Sequence, residues 1–153
     1  MRREKFEKIG VMDFHGSVDI TDPCYDRDVW CRMNDVKIKD GEYFCMVTYK
    51  EDPVFGGQRV GSIAISMDDI LPAKKSMKKI GDICVDAGLA AFFHNKPDYS
   101  LDEWLNFCDG KLGDKAWMRK DGFYSESDYG DGTYFVYAFE QDGEIVALEI
   151  RFM

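Results

Sequence analysis

Apolar and polar positions alternate with a period of two in several short runs. The clearest pair lies near the end of the chain, where Thr133 to Glu140 and Ile145 to Phe152 flank Gln141-Asp142-Gly143-Glu144. Asp-Gly between two such runs predicts a two-residue hairpin, because a type I′ turn needs positive φ at both central positions. A regular ladder from that turn sets Phe139 opposite Val146, Tyr137 opposite Leu148 and Phe135 opposite Ile150, all on one apolar face. The other face then carries Val136 opposite Glu149 and Tyr134 opposite Arg151. A slip of one residue would move Glu149 and Arg151 onto the apolar face.

Earlier elements follow from the same reasoning. Ser17 to Thr21 alternates and ends at Asp22-Pro23, where proline cannot donate to a ladder. Glu42 to Lys50 and Gln58 to Ser66 read as a hairpin around a longer loop, Glu51 to Gly57. Asp82 to Ala87 reads as a buried strand stopping at Gly88, with Leu89 to His94 continuing it past a kink or bulge. Helical signals are few. Ser100 and Glu103 have capping-box spacing, with Leu101, Trp104, Leu105 and Cys108 at helical intervals and Gly110 at the C-cap position. Shorter turns are expected at Met67 to Leu71 and Asp26 to Met33. The chain therefore reads as mainly β, with α+β as the lesser possibility. The expected form is a single-domain β-sandwich or strongly curved antiparallel sheet with one to three short helices and a C-terminal hairpin. Residues 1–153 form one domain in this reading, with 1–12 a loosely attached segment.

Composition narrows the function classes. The chain has 153 residues and a formal charge of −9, a length that suits one buried core. An acidic surface repels phosphate backbones, so no nucleic-acid partner is expected. The one basic run, Lys74-Lys75-Ser76-Met77-Lys78-Lys79, has no interleaved aromatics and reads as a solvated loop, with an anion-binding edge as the minority reading. No apolar run is long enough for a membrane helix, and the charged start Met1 to Lys8 lacks a signal-peptide apolar segment. The five cysteines, Cys24, Cys31, Cys45, Cys84 and Cys108, form no CxxC pair and several lie in apolar runs. They are expected to be free thiols in a reducing cytoplasm. Two histidines, His15 and His94, are too few for a three-His metal site.

Three clusters could carry chemistry: Thr21-Asp22-Pro23-Cys24-Tyr25-Asp26, Val85-Asp86-Ala87-Gly88, and Ser127 to Tyr134, which contains Gly130-Asp131-Gly132. Each puts an aspartate at a strand end. The favoured reading is that Asp22, Asp86 and Asp131 accept backbone N–H bonds and anchor turns. A second reading brings the three carboxylates together around a hard divalent cation for metal-assisted hydrolysis. The third cluster is no EF-hand, because the spaced acids and closing Glu are absent. Cys24 would be nucleophilic only with a base or cation beside it. The candidate polar cluster is thus Asp22, Cys24, Tyr25, Asp86, Asp131 and Tyr134. Among the aromatics, Tyr25, Trp30, Trp104, Trp117, Tyr124 and Tyr129 could line a pocket or partner surface, and most are expected in the core.

In order, Ile20 to Tyr25, Val85 to Gly88, Tyr129 to Tyr134 and Ile145 to Phe152 resemble a bacterial and phage domain family of unknown function. That family is marked by successive DPCY, VDAG or VDSG, and GDG-x-Y motifs. The resemblance spans residues 17–153 and implies a mostly β fold in a cytoplasmic bacterial or phage setting. It transfers no catalytic residue, and Ala87 departs from the serine common at that position. The functional expectation is a non-enzymatic binding or interaction domain with an unidentified protein partner or small ligand, no membrane association and no cofactor. The alternative is a metal-dependent hydrolase or small-ligand enzyme built on the clustered aspartates. Oligomeric state is not legible.

Overall fold

The computed structural model describes residues 6–23, 25, 28–54, 56–86, 88–94, 115–119 and 121–152. Eleven strands are described: β1 (Phe6–Phe14), β2 (Ser17–Thr21), β3 (Met33–Lys37), β4 (Gly41–Glu51), β5 (Gln58–Ser66), β6 (Lys78–Val85), β7 (Leu89–Phe93), β8 (Ala116–Arg119), β9 (Gly122–Glu126), β10 (Gly132–Gln141) and β11 (Glu144–Arg151). They form two antiparallel sheets, ordered β1-β4-β5-β11-β10-β6 and β3-β2-β7-β9-β8. The sheets pack face to face as a β-sandwich. Between them lies one core, in which Val18, Ile20, Phe92 and Phe123 of the smaller sheet meet Cys45, Ile63, Ile83, Val136, Leu148 and Ile150 of the larger. Burial raises the Cys45 thiol to about 12, so this cysteine acts as a small hydrophobe.

Several elements fall where alternation places them, and others correct it. β2 and the β4–β5 hairpin match the expected runs. Asp142 and Gly143 have φ of 53° and 81°, as the turn requires. The β10–β11 ladder, however, does slip by one. Glu140 pairs with Ile145, but Phe139 pairs with Ala147, leaving Val146 as a bulge. The bulge has a use: the Val146 carbonyl accepts the Met67 N–H at 3.0 Å and that of Ile145 accepts the Lys39 N–H at 2.9 Å. Beyond it Tyr134, Val136 and Ala138 face the core, and Phe135, Tyr137 and Phe139 face outward with Glu149 and Arg151. Glu149 is fully buried all the same. Its carboxylate accepts from Ser62 Oγ and Arg151 Nε, each at 2.7 Å, and the Arg151 guanidinium lies 3.7 Å over the Tyr137 ring.

Three further expectations need correction. The segment 1–12 is not loosely attached where it is described, because β1 pairs with β4 from Phe6↔Thr48 to Phe14↔Gly41. Leu89 to His94 does not extend the preceding strand: β6 belongs to the larger sheet and β7 to the smaller, so the chain crosses the sandwich at 86–88. The segment from Asp26 to Met33 shows no helix among its described residues, and the Met67 to Leu71 turn is a bend followed by a short 3₁₀ turn at Lys74–Ser76. The helix expected after Ser100 lies outside the described residues.

Both flanks of the sandwich are sealed by methionine over glycine. A Cβ added at Gly10 of β1 would lie 2.7 Å from the Met118 sulfur of β8, and one at Gly81 of β6 would lie 2.8 Å from the Met33 sulfur of β3. The second seam is also covalent. Cys31, just before β3, is disulfide-bonded to Cys84 in β6, with Cα atoms 5.4 Å apart. The Cys84 N–H donates to the Cys31 carbonyl alongside. This overturns the expectation of free thiols at these two positions, and the cysteine argument for a reducing compartment falls with it.

Candidate functional site

The three motif clusters meet at one end of the sandwich, around the crossing from β6 to β7. Pro23 stops β2, and the Tyr25 N–H donates to the Asp22 carbonyl at 3.0 Å to close a turn. Asp22 is fully buried, and its Oδ2 accepts the Asp86 N–H at 2.7 Å. The Tyr25 hydroxyl returns to the same residue, donating to Asp86 Oδ2 at 2.7 Å. Gly88 adopts φ +68°, a conformation an L side chain resists. Its N–H donates to Asp131 Oδ1 at 3.1 Å, and its carbonyl accepts the Ser127 N–H at 2.8 Å.

The last motif is folded on itself. Gly130 donates its N–H to the Ser127 carbonyl at 2.7 Å, and its own carbonyl accepts from Ser127 Oγ at 2.8 Å and the Tyr134 hydroxyl at 2.6 Å. Burial and the nearby Asp131 charge raise the Tyr134 pKa, against the lowering effect of its side-chain bond to Ser127, so the phenol stays a donor. Asp128, which the sequence did not single out, fastens this loop to β5. Its Oδ2 accepts the Val60 N–H at 2.7 Å, Lys115 Nζ lies 2.9 Å from Oδ1, and Arg59 donates to its carbonyl.

A second layer braces the described parts of the loop after β2, Tyr25 and residues 28–32. Arg32 is buried and forks in three directions: Nε donates to Asn34 Oδ1 at 2.6 Å, one terminal nitrogen to the Tyr25 carbonyl at 2.8 Å, and the other to Asp19 Oδ2 at 3.1 Å. Asp19 Oδ1 accepts the Asp35 N–H at 2.9 Å, where φ is +53°. With the Cys31–Cys84 bridge, this holds the base of the loop on two sides. Between the anchors Trp30 is 88% exposed.

No known protein family, curated protein or solved structure matches this chain. The arrangement has to be read from its own chemistry. Of the predicted polar cluster, Asp22, Tyr25, Asp86, Asp131 and Tyr134 share one hydrogen-bonded knot, and Cys24 lies outside the described residues. Among the described residues no three His, Cys, Asp or Glu side chains are grouped to hold a metal ion. Each aspartate carboxylate accepts a bond from another motif's backbone or hydroxyl, which ties loops together. Clefts of about 590 and 490 Å³ lie elsewhere, against Tyr49 and Glu51 and against Lys37 and Glu144. Arg32, Asp19 and the Cys31–Cys84 pairing were missed, and no spacing rule would have found them, since each joins residues distant in sequence or ordinary in type.

Asp22→Ala should lower unfolding free energy by about 1–3 kcal/mol, because it strands the Asp86 N–H in a part-buried site. Asp22→Asn, which keeps an acceptor oxygen, should lose less. Urea midpoints for the two variants check this, and equal midpoints for wild type and Asp22→Ala would contradict it.

Proposed function

We propose that the protein is a non-enzymatic binding domain and that the braced loop carrying Trp30 is its contact element. One observation carries the reading: a tryptophan 88% exposed to water, immediately before a disulfide at Cys31 and a buried ion pair at Arg32. An unpartnered indole on a soluble surface is unfavourable, and tryptophan is enriched among residues that dominate binding energy. A loop fixed before encounter loses little conformational entropy on docking. The exposed Asp28 and Asp86 on the same pair of loops, in a chain of charge −9, favour a basic partner.

The alternative, a metal-dependent hydrolase on Asp22, Asp86 and Asp131, has less support, because those carboxylates serve as acceptors for the chain itself. No helix among the described residues is long and apolar enough to cross a membrane. The cytoplasmic bacterial or phage setting rests on the motif resemblance, and the disulfide weighs towards an oxidising compartment.

The test compares immobilised wild type with Trp30→Ser in capture from a bacterial lysate. The expected result is a basic protein retained by wild type and bound about 30-fold more weakly by the variant, with the melting temperature unchanged. Identical capture by the two proteins would sink the reading. So would a metal-stimulated turnover that Asp22→Asn abolishes without loss of stability.

A further inference from the structure

A separate cleft lies on the outward face of the larger sheet, and it does not depend on Trp30. It has a volume of about 290 Å³, and Lys74, Thr133, Phe135, Tyr137 and Arg151 are among the residues that line it. The basic run Lys74 to Lys79 has no aromatics of its own, but the fold lays it against β10, which supplies them. Lys79 Nζ sits 3.7 Å over the Phe135 ring, and two residues on, the Arg151 guanidinium sits 3.7 Å over the Tyr137 ring. Phe135 nevertheless remains 44% exposed.

We propose that this cleft binds a small anion attached to a flat ring, a phosphate or carboxylate of an aromatic group. Each part of the ligand has a counterpart. Lys74 supplies positive charge in the lining, and Thr133 supplies a hydroxyl. Arg151 is oriented by Glu149 at 2.7 Å and flattened on Tyr137, so it offers a fixed planar cation. The exposed Phe135 ring offers a stacking face. Size and charge decide against a polymer. The volume is at the lower end for small-ligand sites, and a molecule of charge −9 repels a chain of phosphates far more than one anionic group. The β-bulge at Val146 is what makes the site: without it, Phe135, Tyr137 and Arg151 would not share this face.

Isothermal titration calorimetry with four probes tests this. Adenosine monophosphate and benzoate carry a ring with a phosphate or a carboxylate, and inorganic phosphate and acetate are the ringless controls. At least one ring-bearing anion should bind with a millimolar or tighter Kd, about 10-fold or more tighter than its control. Which one does so identifies the anionic group. Lys74→Gln and Phe135→Ser should each weaken it about 5-fold or more, and binding should fall with added salt. The proposal is overturned if neither ring-bearing probe binds below about 10 mM, if the controls bind equally well, or if both variants bind like wild type. Lys74→Gln alters a side chain on the short 3₁₀ turn outside the sheets, so it decides the matter should Phe135→Ser fail to fold.

Discussion

Replacing Cys31 and Cys84 together by serine should lower the unfolding free energy by about 4 kcal/mol. The bridge joins residues 53 apart in sequence, and closing a loop of that length removes roughly this much entropy from the unfolded chain. For a domain of this size the melting temperature should fall by about 8–16 °C. Thiol reductant should have the same effect on wild type and none on the double variant. Urea denaturation with and without reductant measures both. Hydrogen exchange should rise most at residues 28–32, whose base the bridge holds. A wild-type midpoint indifferent to reductant would mean that the bridge does not stabilise the fold.

Arg32→Leu should be nearly as damaging, at about 3–5 kcal/mol. The Arg32 and Asp19 side chains are 0% and 1% exposed, so removing the guanidinium leaves a carboxylate in the interior without its ionic partner. It also removes the hydrogen-bond donor to the Tyr25 carbonyl and the Asn34 amide oxygen. Arg32→Lys keeps the charge but cannot fork to three acceptors, and should lose about 1–3 kcal/mol. Adding Asp19→Leu to Arg32→Leu should recover part of the loss, because an apolar pair is better buried than a lone charge. Equilibrium unfolding of the four proteins tests the order. If Arg32→Lys proved as harmful as Arg32→Leu, geometry rather than charge would be the main term.

Strands with strict alternation were legible from composition. Ser17 to Thr21 buries Val18 and Ile20 as its pattern requires, although Asp19 and Thr21 are buried as well, and the long hairpin from Gly41 to Ser66 is bounded by polar and glycine-rich residues. The Asp142-Gly143 turn was legible for a conformational reason. The register beyond it was not, because Val146 is as apolar as its neighbours and a bulge there leaves no mark in the pattern. β1 and β3 were hidden by their charges: β1 carries Glu7, Lys8 and Asp13, and β3 consists of Met33-Asn34-Asp35-Val36-Lys37. The candidate site was half visible. Aspartates beside proline and glycine suggest anchored turns one at a time, but which turn each one holds depends on the crossing between sheets. The outward cleft was invisible, since its lysines and its rings lie about sixty residues apart in the chain and meet only through the pairing of β6 with β10.

The strand order also bears on how the protein is made. β11 lies between β5 and β10, and among the described residues no other strand joins the β1-β4-β5 half of the larger sheet to the β10-β6 half. Until residues 144–151 dock, a folding chain can assemble this sheet only as two separate fragments, each with a raw hydrogen-bonding edge where the missing strand belongs. Docking of that one segment completes the larger sheet, which places the burden of avoiding mispairing on the interval just before it.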